Sequence, residues 1–493
     1  MLGKRSLKNC SLQLTCFILI LLNVYLVLFS KQSQCPNVVE RLRRNVVKAQ
    51  KTGDNNETTK THSSLTMNTS SQPEDISEMT PSQHPGPFHQ IGDSDIWIYS
   101  AFYEPVKQGV DAPMIRALGV AMRNLSGLAL SCHVTYEDRS VTTVSGRLRA
   151  ALDHHHKSYS ASFLYCPVTG TRKPSFVAFS LNKHETPGHE FQVMFPASKR
   201  ERTFTVCYSV IYGNYDRYSM LLQSITYNRM MGAEHFFLYN QTMGPRADAV
   251  VRHFQDLGIM TVLSMPEFPA NEAWYHSQIM AINDCIYRNR NISQFVAVVD
   301  PDEFIMPVQH HSWGEVLKAV TDREIKEKRG ENVGVFAFEH SMFCNNRLNN
   351  TEWATFKKNF QLSDEEGKFI ERNDITTLLE LRRSNLVRFP VRSKCIYRPE
   401  VTRQPGIHYV RSLWSGYRNV VVNSSLGIIG HYKNRKGDCF LDHKIIWFYK
   451  KYLKALKSSY ANVQAYLLNR SISTTNFQIY SNPEAKQRPI TKA

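Results

Sequence analysis

"QFVAVVDPDEFIMP", Gln294 to Pro307, is the stretch on which the reading of this chain turns. Phe295 to Val299 are five apolar residues in a row, without alternation, the pattern of a strand buried on both faces. Pro301 has no N–H for a ladder, so strand pairing ends beside it. On an extended chain, residues two apart share a side. Asp300 and Asp302 therefore project together from the carboxyl end of a central strand, where open α/β sheets take their ligands. Two carboxylates that close repel each other unless a proton or a cation lies between them. A divalent metal carrying a phosphate suits such oxygen ligands. The plain alternative is a strand that ends in a solvated acidic turn.

Upstream of this strand the pattern alternates. "FTVCYSVIYG" (204–213) reads as a strand, and "YSMLLQSITYNRMMG" (218–232) as a helix closed by Gly232. "HFFLYNQ" is a second strand, "RADAVVRHFQDLG" a second helix, "IMTVLSM" a third strand and "YHSQIMAINDCIYRNR" a third helix. This β-α-β-α-β-α-β order predicts a parallel sheet covered by helices. Its strand ends, with Tyr212, Asn214 and Asn240 beside the Asp300–Asp302 pair, form one edge fit for a nucleotide. Neither G-x-G-x-x-G nor a G-K-[ST] loop occurs, so neither the usual dinucleotide site nor a P-loop is supported.

The region 95–200 reads differently. "DIWIYSAFYE", "LALSCHVTYE", "SASFLYCPV", "SFVAFSL" and "EFQVMFP" are short strands separated by turn residues, which predicts a small all-β accessory domain. It serves either as a carbohydrate-binding module or as a structural wall. Cys132 and Cys166 lie in two of its strands and are the expected disulfide. His154, His155 and His156 read as a solvated loop.

At the start, Lys4, Arg5 and Lys8 precede an apolar run from Leu12 to Phe29. Its length is near the minimum for a bilayer span, and no small-residue cleavage site follows. The expected organisation is a cytosolic tail (1–11), a transmembrane signal anchor (12–29), a disordered stem (30–94) rich in Ser, Thr, Asn and Pro, the β-rich domain, and a catalytic domain over 201–493. Sequons at Asn56, Asn68, Asn124, Asn240, Asn291, Asn349, Asn423 and Asn469 all follow the anchor. So do eight of the ten cysteines, which fits an oxidising lumen. The formal charge of +17 then points to nucleotide phosphates and membrane or glycan surfaces, and no nucleic-acid-binding signature accompanies it.

Six pieces resemble one known family in content and order: "LLQSITYNRMMGAEHFFLYNQ", "QIMAINDCIYRNR", "FVAVVDPDEFIMP", "RSKCIYRPE", "GIHYV" and "GHYKNR". The family is glycosyltransferase family ninety-two, and within it the chain looks most like the bird β-1,4-galactosyltransferases that extend galactose-terminated N-glycans. The resemblance implies a GT-A fold, UDP-galactose as donor, Mn²⁺ as cofactor, inversion at the anomeric carbon, an N-glycan acceptor and a Golgi membrane location. It makes Asp300 and Asp302 the D-x-D motif, with one carboxylate on the metal and the other on metal or ribose. His431 in "GHYK" is the expected histidine ligand and His408 the second choice. Lys433, Arg435 or Lys436, together with Arg392 and Lys394, are expected near the diphosphate. Asp284 is expected to orient the donor sugar or an arginine. Glu303 is expected to hydrogen-bond within the strand end. Glu339 is the leading general base, with Asp438 and Asp374 behind it. Two other classes remain open at this point: a lectin-like binder that retains the fold without turnover, and a metal-dependent phosphohydrolase. The latter needs a second acidic or histidine cluster that the sequence lacks.

Overall fold

The computed structural model describes residues 88–106, 112–433, 437–442 and 448–469. The stretch read as tail and membrane anchor, and the stem as far as residue 87, lie outside the described residues, as do Arg435 and Lys436. Among the described residues no helix is long and apolar enough to cross a membrane.

Eight strands come first: β1 (His89–Gln90), β2 (Ile96–Glu104), β3 (Met114–Met122), β4 (Ala129–Tyr136), β5 (Val141–Ala150), β6 (Tyr159–Pro167), β7 (Pro174–Ser180) and β8 (Phe191–Met194). In β4 every second residue (Leu130, Cys132, Val134 and Tyr136) is buried, the alternation of a strand with one face on a core. The spatial order is β1-β2-β3-β6-β5-β4-β7-β8, and β8 also pairs with β2, so the sheet closes on itself. Cys132 and Cys166 are bonded inside it. Gly146 on β5 leaves room for them, since a Cβ there would collide with the Cys132 sulfur.

The α/β part opens with β9 (Arg202–Ile211), helix α1 (Tyr218–Met231), β10 (Ala233–Asn240), α2 (Pro245–Asp256), β11 (Met260–Ser264), α3 (Gln278–Arg288) and β12 (Ser293–Val299). Gly232 ends α1 at φ 116°, a left-handed cap without Cβ cost. Asp216 caps α2 from outside, accepting from the backbone N–H of Arg246 and Ala247 at 2.8 and 2.9 Å. Cys207 on β9 is bonded to Cys285 on α3.

Later strands are β13 (Glu303–Pro307), β14 (Val333–Phe338), β15 (His340–Phe343), β16 (Arg382–Arg383), β17 (Lys394–Tyr397), the short pair β18 (Thr402–Gln404) and β19 (Ser412–Leu413), β20 (Arg418–Val421), β21 (Gly427–Tyr432) and β22 (Phe440–Leu441). The main sheet has the order β11-β10-β9-β12-β17-β14-β20. Its first four strands are parallel, but β17 runs antiparallel between β12 and β14, so the sheet is mixed where the sequence pattern predicts a parallel one. The reason lies in the connection. β14 continues into β15 of a second sheet, ordered β13-β21-β15-β16-β22, and the chain returns from that end to form β17. Two of the steps from the main sheet into the second are short, from β12 to β13 through Asp300–Asp302 and from β14 to β15 at Glu339.

From β9 the chain moves first to one side, through β10 and β11, and then to the other side of β9 for β12. The gap above β9 and β12 is therefore the topological switch point, where loops from the two directions part and leave a crevice.

The closed β-sheet packs against this sheet through α3. Tyr99, Phe102, Leu118 and Phe163 share one buried cluster with Ile279, Ile282 and Ile286. Within the seam are buried charges. Glu104 on β2 pairs with Arg116 on β3 at 2.6 Å and with Arg290, just past α3, at 2.7 Å. Both arginines also donate across the seam, Arg116 to the carbonyl of Arg403 and Arg290 to that of Thr402.

Candidate active site

A cavity of about 710 Å³ opens at the switch point. Ser209, at the end of β9, and Asp300, just past β12, form its floor, with Lys394 from β17 and His431 from β21 beside them. Asp302 lies at the turn into β13.

The sequence shapes this floor in small steps. Pro301 breaks the strand, and the turn closes when the N–H of Glu303 donates to the carbonyl of Asp300 at 2.9 Å. The Glu303 carboxylate reaches back and accepts from the Asp300 N–H at 2.9 Å. β13 then pairs antiparallel with β21, which sets Glu303 opposite His431. Gly430, beside that histidine, cannot carry a side chain: a Cβ would lie 2.8 Å from the Met306 sulfur and from a Phe343 ring carbon. "GHYK" thus needs its glycine to bring β21 close.

The two aspartates have different surroundings. Asp300 accepts from the Ser209 hydroxyl through Oδ1, and Oδ2 lies 3.1 Å from Lys394 Nζ. Lys394 is 2% exposed and also 2.9 Å from Glu303, so one buried cation serves two acids. Burial alone raises the Asp300 carboxyl, but the Lys394 ammonium, the Ser209 hydroxyl and His431 together outweigh it and the net shift is downward. Glu303 shifts upward, because burial outweighs the same lysine. Burial alone lowers Lys394, and the two carboxylates outweigh it and drive its pKa up.

Asp302 has looser neighbours. Its Oδ2 is 3.5 Å from Arg217 Nη1 and its Oδ1 is 3.5 Å from His431 Nε2. These are charge contacts rather than tight hydrogen bonds, and they leave oxygen lone pairs to offer. Behind His431, Nδ1 lies 3.1 Å from Nε2 of the buried His340. Burial lowers His431, and Asp302 and Glu303 outweigh that and raise it. Burial and the charge at His431 press His340 down to about 3. With His340 neutral and accepting from His431 Nδ1–H, Nε2 is the His431 nitrogen that faces Asp302, and a cation bound there would take the place of its proton.

A divalent cation fits these residues. Asp302 and His431 supply one carboxylate oxygen and one imidazole nitrogen, a donor set that Mn²⁺ accepts, with further positions left for diphosphate oxygens.

Other expected site residues are distributed as follows. Tyr212, Arg392, Lys433 and His408 line the same cavity. Lys394 does too, but its ammonium is committed to Asp300 and Glu303 rather than turned to a phosphate. Asn214 and Asn240 do not line it. The Asn214 N–H donates to the Thr242 hydroxyl, and Asn240 stays at the end of β10, one strand further out. Asp284 is 0% exposed and sits in the seam with the β-sheet module, where it accepts from Arg288, Tyr239 and Ser100, each at 2.6 Å. It orients an arginine, and it is not at the donor edge.

Glu339 lines a separate cavity of about 270 Å³ with Arg388 and Asn423. The reason is alternation: its neighbour His340 turns toward His431, so Glu339 turns to the other face. Asp374 pairs with Arg347 outside the cavity, and Asp438 is exposed and does not line it either. The carboxylates that line the cavity, among the described residues, are Asp300, Asp302 and Glu303.

Several lining residues escape sequence reasoning. Ser209 near the end of β9 and Gln278 at the start of α3 are ordinary polar residues, and nothing local in the sequence marks them. His155 is exposed, as a solvated loop residue should be, and it also reaches the cavity from the β-sheet module.

Comparison with known proteins bears on the same region. The model of Glycosyltransferase family 92 matches residues 202–471, more than half of the chain. A beta-1,4-galactosyltransferase of Caenorhabditis elegans is 23% identical over 241 residues, 48% of this chain and 49% of that one. A galactan beta-1,4-galactosyltransferase of Arabidopsis thaliana is 28% identical over 144 residues, 28% of each chain. The chain thus spans about half or less of the length of these curated relatives. A solved glucosyl-3-phosphoglycerate synthase of Mycobacterium tuberculosis, in complex with Mn²⁺ and UDP, overlaps 54% of this chain and 80% of its own. Its identity is 10% and its TM-score 0.22, too slight a likeness to carry an argument.

Proposed function

The chain belongs to glycosyltransferase family 92, and from that premise we propose that it is an inverting, metal-dependent β-1,4-galactosyltransferase. In this reading galactose passes from UDP-galactose to a terminal β-galactoside of an N-glycan. The observation that carries it is the meeting of Asp302 and His431 at the switch point of the sheet, 3.5 Å apart and beside a cavity large enough for a nucleotide sugar. The galactosyltransferase names of the worm and plant relatives support the donor.

A divalent cation bound between Asp302 and His431 would supply charge neutralisation for the departing UDP. The protein's own residues do the rest. Lys394 keeps Asp300 ionised next to Glu303, so the floor keeps its shape when a diphosphate approaches. Ser209 and Gln278 fix the Asp300 carboxylate toward the donor side. Arg392 and Lys433 line the cavity where they can meet phosphate oxygens. Arg217 balances the charge of Asp302 before the donor arrives.

We also place the protein in the Golgi membrane, as a single-pass type II chain with the catalytic part in the lumen. The sequons, the basic residues before the apolar run, and the disulfides Cys132–Cys166, Cys207–Cys285 and Cys344–Cys439 among the described residues support this.

The test is a screen of UDP-sugars against galactose-, N-acetylglucosamine- and fucose-terminated acceptors with Mn²⁺, followed by linkage determination. Galactose transferred in β-1,4 linkage to the galactose-terminated acceptor is the expected result. Mn²⁺-dependent UDP binding without transfer to any acceptor favours the lectin-like reading instead.

A further inference from the structure

The cavity has a second character on the side that faces the β-sheet module. Trp274 and Tyr275, in the loop before α3, line it there. His155, from the connection between β5 and β6, joins them, and its ring stacks on Trp274 with centroids 4.2 Å apart and planes 17° apart. Nearby, Tyr212 stacks on His276 at 3.8 Å. An acid-and-metal floor thus meets an aromatic wall, and one residue of that wall comes from the other module.

Two further observations separate this wall from a chance ring contact. The first is backbone conformation. Tyr275, His276 and Ser277 are consecutive at φ 45°, 54° and 66°, and His155 and His156 stand at 46° and 60°. Side chains with a Cβ rarely hold left-handed backbone, and where bulky residues do so the surroundings impose it, often at ligand clamps. The second is anchorage. Asp153 Oδ1 lies 2.5 Å from Arg411 Nη2, and Oδ2 accepts from the Ile407 N–H at 3.3 Å. The same carboxylate holds His155, with Nε2 3.5 Å from Oδ1. Ile407 lines the cavity as well, so Asp153 ties the module's loop to the cavity wall.

We propose that Trp274, Tyr275 and His155 form the subsite for the terminal hexopyranose of the acceptor. This rests on the transferase reading above and adds where the second substrate binds. The C–H groups on the flat face of a pyranose carry slight positive charge and suit the negative face of an aromatic ring. Its hydroxyls, at the ring edge, can meet the Tyr275 hydroxyl and His155 Nδ1. The donor's diphosphate belongs on the opposite side, with Asp302, His431 and Lys433. The β-sheet module then takes part in substrate binding through His155.

The experiment uses the whole chain and the variants His155→Ala, Trp274→Leu and Trp274→Phe. UDP binding with Mn²⁺ is measured by calorimetry, and KM and kcat are measured for a galactose-terminated glycan. Loss of a ring contact should raise the acceptor KM about 3- to 10-fold, with a smaller change in kcat, and Trp274→Phe should recover part of it. UDP affinity should stay close to wild type. Should Trp274→Leu fail to fold, His155→Ala decides, because that side chain is 39% exposed on a loop. An acceptor KM unchanged in His155→Ala and Trp274→Phe, with UDP binding intact, overturns the subsite. A fall in UDP affinity equal to the rise in acceptor KM also overturns it, by assigning the wall to the donor. A wild-type chain that neither binds UDP with Mn²⁺ nor transfers sugar removes the transferase reading, and the subsite with it.

Discussion

Asp284 lies on α3 with no exposed surface, and its oxygens accept from Arg288, Tyr239 and Ser100, each at 2.6 Å. Asp302 lies at the break between β12 and β13, is 21% exposed, and has Arg217 and His431 no closer than 3.5 Å. Both acids stand in motifs shared with the family, and the sequence leaves Asp284 to orient either the donor sugar or an arginine. Their surroundings give them opposite tasks. The lone pairs of Asp284 are filled by protein donors, and it holds two modules together. Those of Asp302 are still on offer, and it faces a cavity. What distinguishes a structural from a functional carboxylate here is how much of its hydrogen-bonding capacity the fold has already used.

The strongest test of that contrast is Asp284→Ala. It leaves the Arg288 guanidinium buried without its carboxylate, and removing one partner of a buried pair costs about 3–5 kcal/mol. Denaturant unfolding should show a loss of that size, whereas kcat of the molecules that still fold should change much less. A variant of full stability with lost turnover would move Asp284 into the donor site and erase the distinction.

Asp302→Asn comes next. It keeps the shape and removes the charge, so Mn²⁺-dependent UDP binding should weaken roughly 10- to 100-fold, the scale seen when groups around a metal site are altered. Stability should hold, since no tight hydrogen bond is lost. Calorimetric UDP titration with and without Mn²⁺, beside a melting curve, reads both halves. Full metal-dependent UDP binding in a folded Asp302→Asn chain would reduce the pair to a solvated strand end.

The smallest effect concerns an imidazole that burial keeps uncharged. His408 lines the cavity, and burial followed by the Lys394 charge lowers it to about 4. Between pH 6.5 and about 4 the unfolded chain therefore binds a proton that the folded chain refuses. Stability must fall as pH drops through this window, by at most about 1.4 kcal/mol per pH unit. His408→Gln should flatten that part of the pH–stability curve, measured by denaturant unfolding at several pH values. An unchanged slope would mean His408 already carries its proton in the fold.

How much of this is legible in the sequence depends on range. Helix α1 with its Gly232 stop, the buried strand β12 and its break at Pro301 are local patterns, and they read correctly. Cys132 and Cys166 are readable as a pair because both lie on strands of one short β-rich region. The antiparallel entry of β17 is not readable, because its direction follows from the detour through the second sheet. The facing of Glu339 and His340 depends on a one-residue step between β14 and β15, and a shift of one residue exchanges the two sides. Lys394 meets Asp300 across 94 residues, and Ser100 meets Asp284 across 184. No periodicity carries that information; only the assembled sheets do. His155 is hidden for the same reason, since a histidine run in a turn looks solvated until another module supplies Trp274.

The seam that holds Glu104 between Arg116 and Arg290 also governs the history of the chain. Synthesis delivers Glu104 and Arg116 well before Arg290 and before the carbonyls of Thr402 and Arg403 that complete their hydrogen bonds. Until those arrive, the early sheet presents an apolar face and incomplete hydrogen bonds to solvent, a surface prone to wrong partners. Cutting the chain near Arg200 would make that waiting state permanent on one fragment and strand Arg290 on the other. Opening either module alone would uncover the apolar cluster they share and break the Glu104–Arg290 pair, so the seam couples the stability of each to the other.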